Sequence, residues 1–235
     1  MHKDIESLKS GLIVSCQSEG TDPFNHPEYL ALFARAAEMG GARGIRAQGT
    51  VNISAICRSV SLPVIGITKG AYADGWVLIT PDFSDVDAVI ASGAQIIALD
   101  ATARIRPNGM DGRDFFAEVR KRYGVPLMAD CSTFEEGVAA AEAGADIVAT
   151  TLSGYTAETE GHATDEPDYD LVKSLVRAVS VPVIAEGRIW TPAQARQALE
   201  CGAYAVVVGT AITRPRVVTQ KFVESMGKII KHESE

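Results

Sequence analysis

Lys69 and Glu186 each end an apolar run, PVIGITK and PVIAEG, and together they supply the two groups that proton transfer needs. A charge at the tip of a buried strand is costly unless it is paired or used, so Glu186, set just before Gly187, calls for a partner or a role. A lysine and a glutamate facing each other across a substrate suit removal and return of a carbon-bound proton next to a carbonyl. That chemistry requires surroundings that tune one of the groups toward neutral pH. The bland alternative for Lys69 is a surface lysine or a salt-bridge partner.

Other polar residues end apolar runs in the same way: Gln17, Arg46, Asp100, Asp130, Thr151, Arg188 and Thr210. Asp130 is expected to orient or charge-pair Lys69, with capping of the helix after Ser132-Thr133 as the competing role. Gly187 and Arg188 in EGRIWTP, and Gly209 and Thr210 in VGTAITRP, are candidates for a phosphate cradle of backbone N–H groups. Arg214 either adds charge there or neutralises the surface beside Pro215. Cys16, Cys57, Cys131 and Cys201 are dispersed, as are His2, His26, His162 and His232, so neither set has metal-site or disulfide-scaffold spacing. The cysteines are expected to be free thiols, and no dedicated metal site is expected.

The elements that must position these residues recur. Eight short apolar runs, at 11–17, 43–48, 63–69, 95–102, 126–131, 146–152, 182–187 and 204–210, read as parallel strands covered on both faces. Every second strand follows a helix ending in Gly-Ala, at Gly41, Gly93, Gly144 and Gly202, where glycine supplies the left-handed helix stop. The third, fifth and seventh begin at Pro63, Pro126 and Pro182. Thr133 with Glu136 and Thr191 with Gln194 have the spacing of capping boxes.

A two-strand unit repeated four times closes a ring, which predicts an α/β chain folded as a single (β/α)₈ TIM barrel over residues 1–235. Active sites of such barrels lie at the C-terminal ends of the strands, where the third and seventh strands oppose each other. An open doubly wound sheet is the alternative, although no GxGxxG follows the first strand. The polar segment 154–167, GYTAETEGHATDEP, is either a lid or an ordinary solvated loop.

A formal net charge of -8 argues against a general nucleic-acid or anionic-membrane binder, so an anionic substrate needs a local basic pocket. The first residues have neither a signal-like cleavage region nor a membrane-spanning apolar stretch, which leads to the expectation of a cytoplasmic protein. A homodimer is compatible with such a barrel, and the C-terminal VVTQKFVESMGKII serves equally as core or interface.

The segments LIVSCQ, GIRAQG, PVIGITK, ALDAT, ADCST, IVATTLSGYT, VIAEGRIWTP and VVVGTAITRP resemble, over nearly the whole chain, those of N-acetylmannosamine-6-phosphate 2-epimerases. The resemblance implies interconversion of N-acetylmannosamine 6-phosphate and N-acetylglucosamine 6-phosphate by inversion at C2, without metal or organic cofactor, in amino-sugar and sialic-acid breakdown. It implies Lys69 as the base at C2 and Glu186 as the acid partner, with Gln17, Arg46 and Asp130 contacting the sugar or positioning Lys69. Two other classes are weighed against it. A Schiff-base aldolase would yield a borohydride-trapped adduct on Lys69, and a non-catalytic sugar-phosphate binder would put no solvent deuterium at C2.

Overall fold

The computed structural model describes residues 1–71, 77–162 and 165–232. Eight parallel strands close into a barrel: β1 (Leu12–Cys16), β2 (Gly44–Gln48), β3 (Val64–Ile67), β6 (Ile96–Asp100), β7 (Leu127–Asp130), β8 (Ile147–Ala149), β9 (Val183–Glu186) and β10 (Ala205–Val208). The ring closes where Leu12 of β1 pairs with Val206 of β10. Closure excludes the open-sheet alternative. β3 and β9 stand four places apart in the ring of eight, on opposite sides.

The third strand is shorter than its apolar run suggests. It ends at Ile67, and Lys69 opens a separate antiparallel hairpin, β4 (Lys69–Ala71) with β5 (Val77–Ile79). Thr80 fastens that hairpin to the barrel: its N–H donates to the Thr68 carbonyl and its hydroxyl accepts from the Thr68 N–H. Residues 72–76 lie outside the described residues.

Helices α2 (Pro27–Met39), α3 (Thr50–Cys57), α4 (Phe83–Ala91), α5 (Gly112–Arg122), α6 (Phe134–Glu142), α7 (Tyr169–Ala178) and α8 (Pro192–Glu200) run between strands. Both capping boxes form, at Thr133 with Glu136 and Thr191 with Gln194. The four predicted helix stops have φ of 89°, 96°, 95° and 98° at Gly41, Gly93, Gly144 and Gly202, a conformation that costs other residues strain. Pro63, Pro126 and Pro182 sit one residue ahead of their strands, where the missing N–H is not needed and each carbonyl accepts a neighbouring strand's N–H.

Strand side chains alternate between two cores. Ile13, Ile65, Ile67, Ile96, Met128, Ile147, Ile184 and Val207 fill the barrel, whose N-terminal end is closed by Ile5 of α1 (Lys3–Glu6) and by Leu8. Val14, Ile45, Val64, Ile97, Leu127 and Val148 face outward to the helices. The alternation continues to the strand ends, and it turns Arg46, Asp130 and Glu186 inward.

Gly66 shows how tightly the outer layer packs. A Cβ there would lie 2.6 Å from Val89 Cγ1 and 2.7 Å from Ala94 Cβ. Gly66→Ala is therefore expected to cost about 1–3 kcal/mol by overpacking, measured by urea unfolding. An unchanged unfolding midpoint would show that α4 moves away without cost.

The last helices are α9 (Thr210–Thr213) and α10 (Pro215–His232). Phe222, Val223 and Met226 of α10 are exposed rather than packed in the core. Among the described residues no helix is long and apolar enough to cross a membrane.

Candidate active site

The strand ends open into one cavity of two lobes that share Gln17, Glu19, Lys69, Thr151, Tyr155 and Glu186. The lobes measure about 320 and 650 Å³, a size that suits a small molecule. One extends over Gly187, Arg188, Gly209, Thr210 and Arg214, the other over Arg46, Gln48, Ile79 and Leu152. Every residue expected from the sequence to act on or hold a substrate thus lies in this cavity, except Asp130, which sits beneath it.

Arg46, fully buried, is the centre of the floor. It grips Asp130 with both terminal nitrogens, Nη1 to Oδ1 at 3.0 Å and Nη2 to Oδ2 at 2.5 Å, and Nη1 also donates to Glu186 Oε2 at 3.1 Å. The Thr151 hydroxyl completes the cluster, 2.6 Å from Asp130 Oδ1 and 3.1 Å from Glu186 Oε2. Burial disfavours the guanidinium charge, but the two carboxylates more than offset this and raise the Arg46 pKa further, so Arg46 stays charged. Burial is also the main influence on Glu186 and raises its pKa above the usual glutamate range. Arg46 opposes the rise and the negative charge of Asp130 adds to it. That direction suits a group that gives up a proton near neutral pH.

Asp130 therefore does not pair Lys69, nor does it cap a helix. The nearer, buried guanidinium takes it, while Thr133 and Glu136 cap α6 and Glu136 also accepts from Ser132. Lys69, on the opposite wall, instead donates to Glu19 Oε1 at 3.1 Å. Arg214 reaches the same Glu19 at 3.3 Å, and its Nε donates to the Gln17 carbonyl. Burial alone would raise the Glu19 pKa, but Lys69 and Arg214 together bring it below the ordinary value. Glu19 was not among the residues singled out from sequence. It follows its strand by three residues in a polar loop, without an apolar run to mark it.

Gln17 donates to Ser15 Oγ at 2.7 Å, and its Oε1 is buried without a hydrogen-bond partner, as is Oε1 of Gln48. Both are acceptors available to hydroxyl or amide hydrogens of a ligand. At the other lobe the chain turns through left-handed backbone at Gly187 (φ 115°) and Arg188 (φ 55°), and Gly209 precedes the short helix α9. The Arg188 side chain is not free to reach an anion. Its Nε donates to the Glu166 carbonyl at 2.8 Å and its Nη1 to the Ser153 carbonyl at 2.6 Å, which ties β9 to the loop after β8. That loop is the 154–167 segment, of which 163 and 164 lie outside the described residues.

Asp100, also a strand-end candidate, is a structural ion-pair centre. It is fully buried and held by Thr102, Arg104 and Arg106 from the loop that follows it, away from the cavity. The four cysteines are free thiols. Burial pushes the Cys16 thiol up to about 12, and Cys131 is raised as well, so neither is a nucleophile at neutral pH.

Comparison with known proteins gives this geometry a family. The sequence model of the family described as "Putative N-acetylmannosamine-6-phosphate epimerase" matches residues 30–228. The chain belongs to this epimerase family. Among its relatives, a protein of Caldanaerobacter subterraneus subsp. tengcongensis described as "Putative N-acetylmannosamine-6-phosphate 2-epimerase" is 50% identical over 223 residues, covering 93% of this chain and 92% of that one. One of Cutibacterium acnes with the same description is 46% identical, covering 94% and 96%. The solved structure of the N-acetylmannosamine-6-phosphate 2-epimerase from Clostridium perfringens superposes with a TM-score of 0.88 at 43% identity, over 95% of this chain and 96% of that one. The epimerase family thus accounts for the barrel over nearly its full length.

Proposed function

We propose that this chain interconverts N-acetylmannosamine 6-phosphate and N-acetylglucosamine 6-phosphate by moving the C2 proton from one face of the sugar to the other, in amino-sugar and sialic-acid breakdown. The observation that carries this reading is Lys69 and Glu186 on opposite walls of one cavity, with the Glu186 pKa raised by burial. In the open-chain sugar C2 adjoins the C1 aldehyde, so its proton is acidified. Lys69 removes it as base, the electron pair passes to the carbonyl oxygen, and Glu186 returns a proton to C2 from the other face. Each direction of the reaction uses the pair in opposite order.

Binding is assigned to Gln17, Arg46, Asp130, Gly187, Arg188, Gly209 and Thr210. Gln17 offers its unpartnered Oε1 to the sugar, while Arg46 and Asp130 act through the position of Glu186. The phosphate is placed at Gly187, Arg188, Gly209 and Thr210, with main-chain N–H groups as donors and Arg214 the nearby cation.

Proton NMR with N-acetylmannosamine 6-phosphate in heavy water tests the assignment. The expected outcome is growth of the gluco epimer together with loss of the C2 proton signal. Folded protein that leaves both the epimer ratio and the C2 proton unchanged would overturn it.

A further inference from the structure

Thr151 places a hydroxyl between the two carboxylates of the cavity floor, 2.6 Å from Asp130 Oδ1 and 3.1 Å from Glu186 Oε2. A hydroxyl carries a single proton. The shorter contact, to the carboxylate that both terminal nitrogens of Arg46 grip, takes that proton. With that proton on Asp130, the remaining contact is a hydrogen bond when Glu186 supplies the hydrogen.

A count of charges agrees. The groups facing Glu186 are Arg46, Asp130, Thr151 and, across the cavity, Lys69. Arg46 is matched by its two-pronged pair with Asp130 and Glu19 by Arg214, while Lys69, as the base of the proposed reaction, carries no charge in this form of the enzyme. A second buried carboxylate charge beside Asp130 would have no cation of its own and would be costly. The backbone of Glu186 is also fixed, because the Thr150 hydroxyl donates to its carbonyl at 3.0 Å and accepts from its N–H at 3.1 Å. The carboxyl cannot swing away from Thr151 without giving up its Arg46 contact.

We infer that Thr151 is a positioning residue for the proposed epimerisation: with its own proton spent on Asp130, it presents a lone pair that holds Glu186 in the acid form, so the free enzyme waits with Glu186 as proton donor. This rests on the epimerase reading above. When the Glu186 O–H bond breaks, its proton forms the new C2–H bond and its electron pair stays on the carboxylate, where Arg46 Nη1 already donates. The Thr151 hydroxyl can then turn from Asp130 to Glu186 by rotation alone. Lys69, protonated in the same turnover, releases its proton to water, and water reprotonates Glu186.

The test uses Thr151→Val, which keeps the shape without the hydroxyl, and Thr151→Ser, which restores it. Infrared difference spectra of wild type against Glu186→Gln at neutral pH should show the carbonyl stretch of a protonated carboxyl. In Thr151→Val that band should vanish or move to higher frequency, and in Thr151→Ser it should return. In parallel, kcat should fall about tenfold or more in the valine variant with KM within about twofold, and recover in the serine variant. Absence of the band in wild type, or a valine variant with unchanged kcat, would overturn the inference. Wild type that shows the band but does not epimerise would instead refute the reaction and leave the protonation of Glu186 standing.

Discussion

Lys69→Ala and Glu186→Gln should each lower kcat/KM by on the order of 10³, within the 10²–10⁴ range that a positioned acid or base contributes. The two variants should fail differently in heavy water. Without an acid at position 186, Lys69 can still remove and return a proton on its own face, so Glu186→Gln should put deuterium at C2 of one epimer while forming little of the other. Lys69→Ala leaves only the opposite face, and any exchange should appear in the other epimer. This mirror-image behaviour follows from the opposed placement of the two residues in one cavity. Exchange of both epimers by a single variant would mean that one group serves both faces, and unchanged turnover would remove that residue from the mechanism.

The second large effect concerns stability. Arg46→Met leaves the fully buried Asp130 carboxylate without its two guanidinium donors. Removing one partner of such a pair costs about 3–5 kcal/mol, because the desolvated charge that remains has no counter-ion. For a chain of this size that lowers Tm by roughly 6–20 °C. The double variant Arg46→Met, Asp130→Asn removes the stranded charge and should regain a substantial part of the loss. Both should be nearly inactive, since Glu186 loses the guanidinium at Oε2 in each. Thermal unfolding of the three proteins decides it. A single variant as stable as wild type would mean that water or another cation reaches Asp130.

Glu19 gathers Lys69 and Arg214 at the mouth of the cavity, joining the wall that carries Lys69 to the end assigned to the phosphate. Arg188 spends its guanidinium on two carbonyls and so organises the loop beside Tyr155 rather than standing free.

The barrel was legible in the chain because its determinants are local. Helix stops at glycines 41, 93, 144 and 202, the two capping boxes and the prolines ahead of three strands depend on backbone conformations that neighbouring residues alone decide. In the folded barrel the strand period of two turns Arg46, Asp130 and Glu186 to the same side as the barrel-filling residues. What the local pattern could not show is which charge meets which. Asp130 turned to Arg46 rather than Lys69 because β2 and β7 bring those two side chains into one dry volume, whereas Lys69 stands on a hairpin that leaves the barrel after Ile67. Asp100 has the same kind of strand-end position as Asp130, yet arginines four and six residues later fold back onto it and remove it from the cavity. The sequence by itself determined the repeat, the ring and the list of polar residues at its mouth. Only the tertiary structure decided their pairing, because Coulomb energies and hydrogen bonds in a low-dielectric interior depend on separations of a few ångströms between residues far apart along the chain.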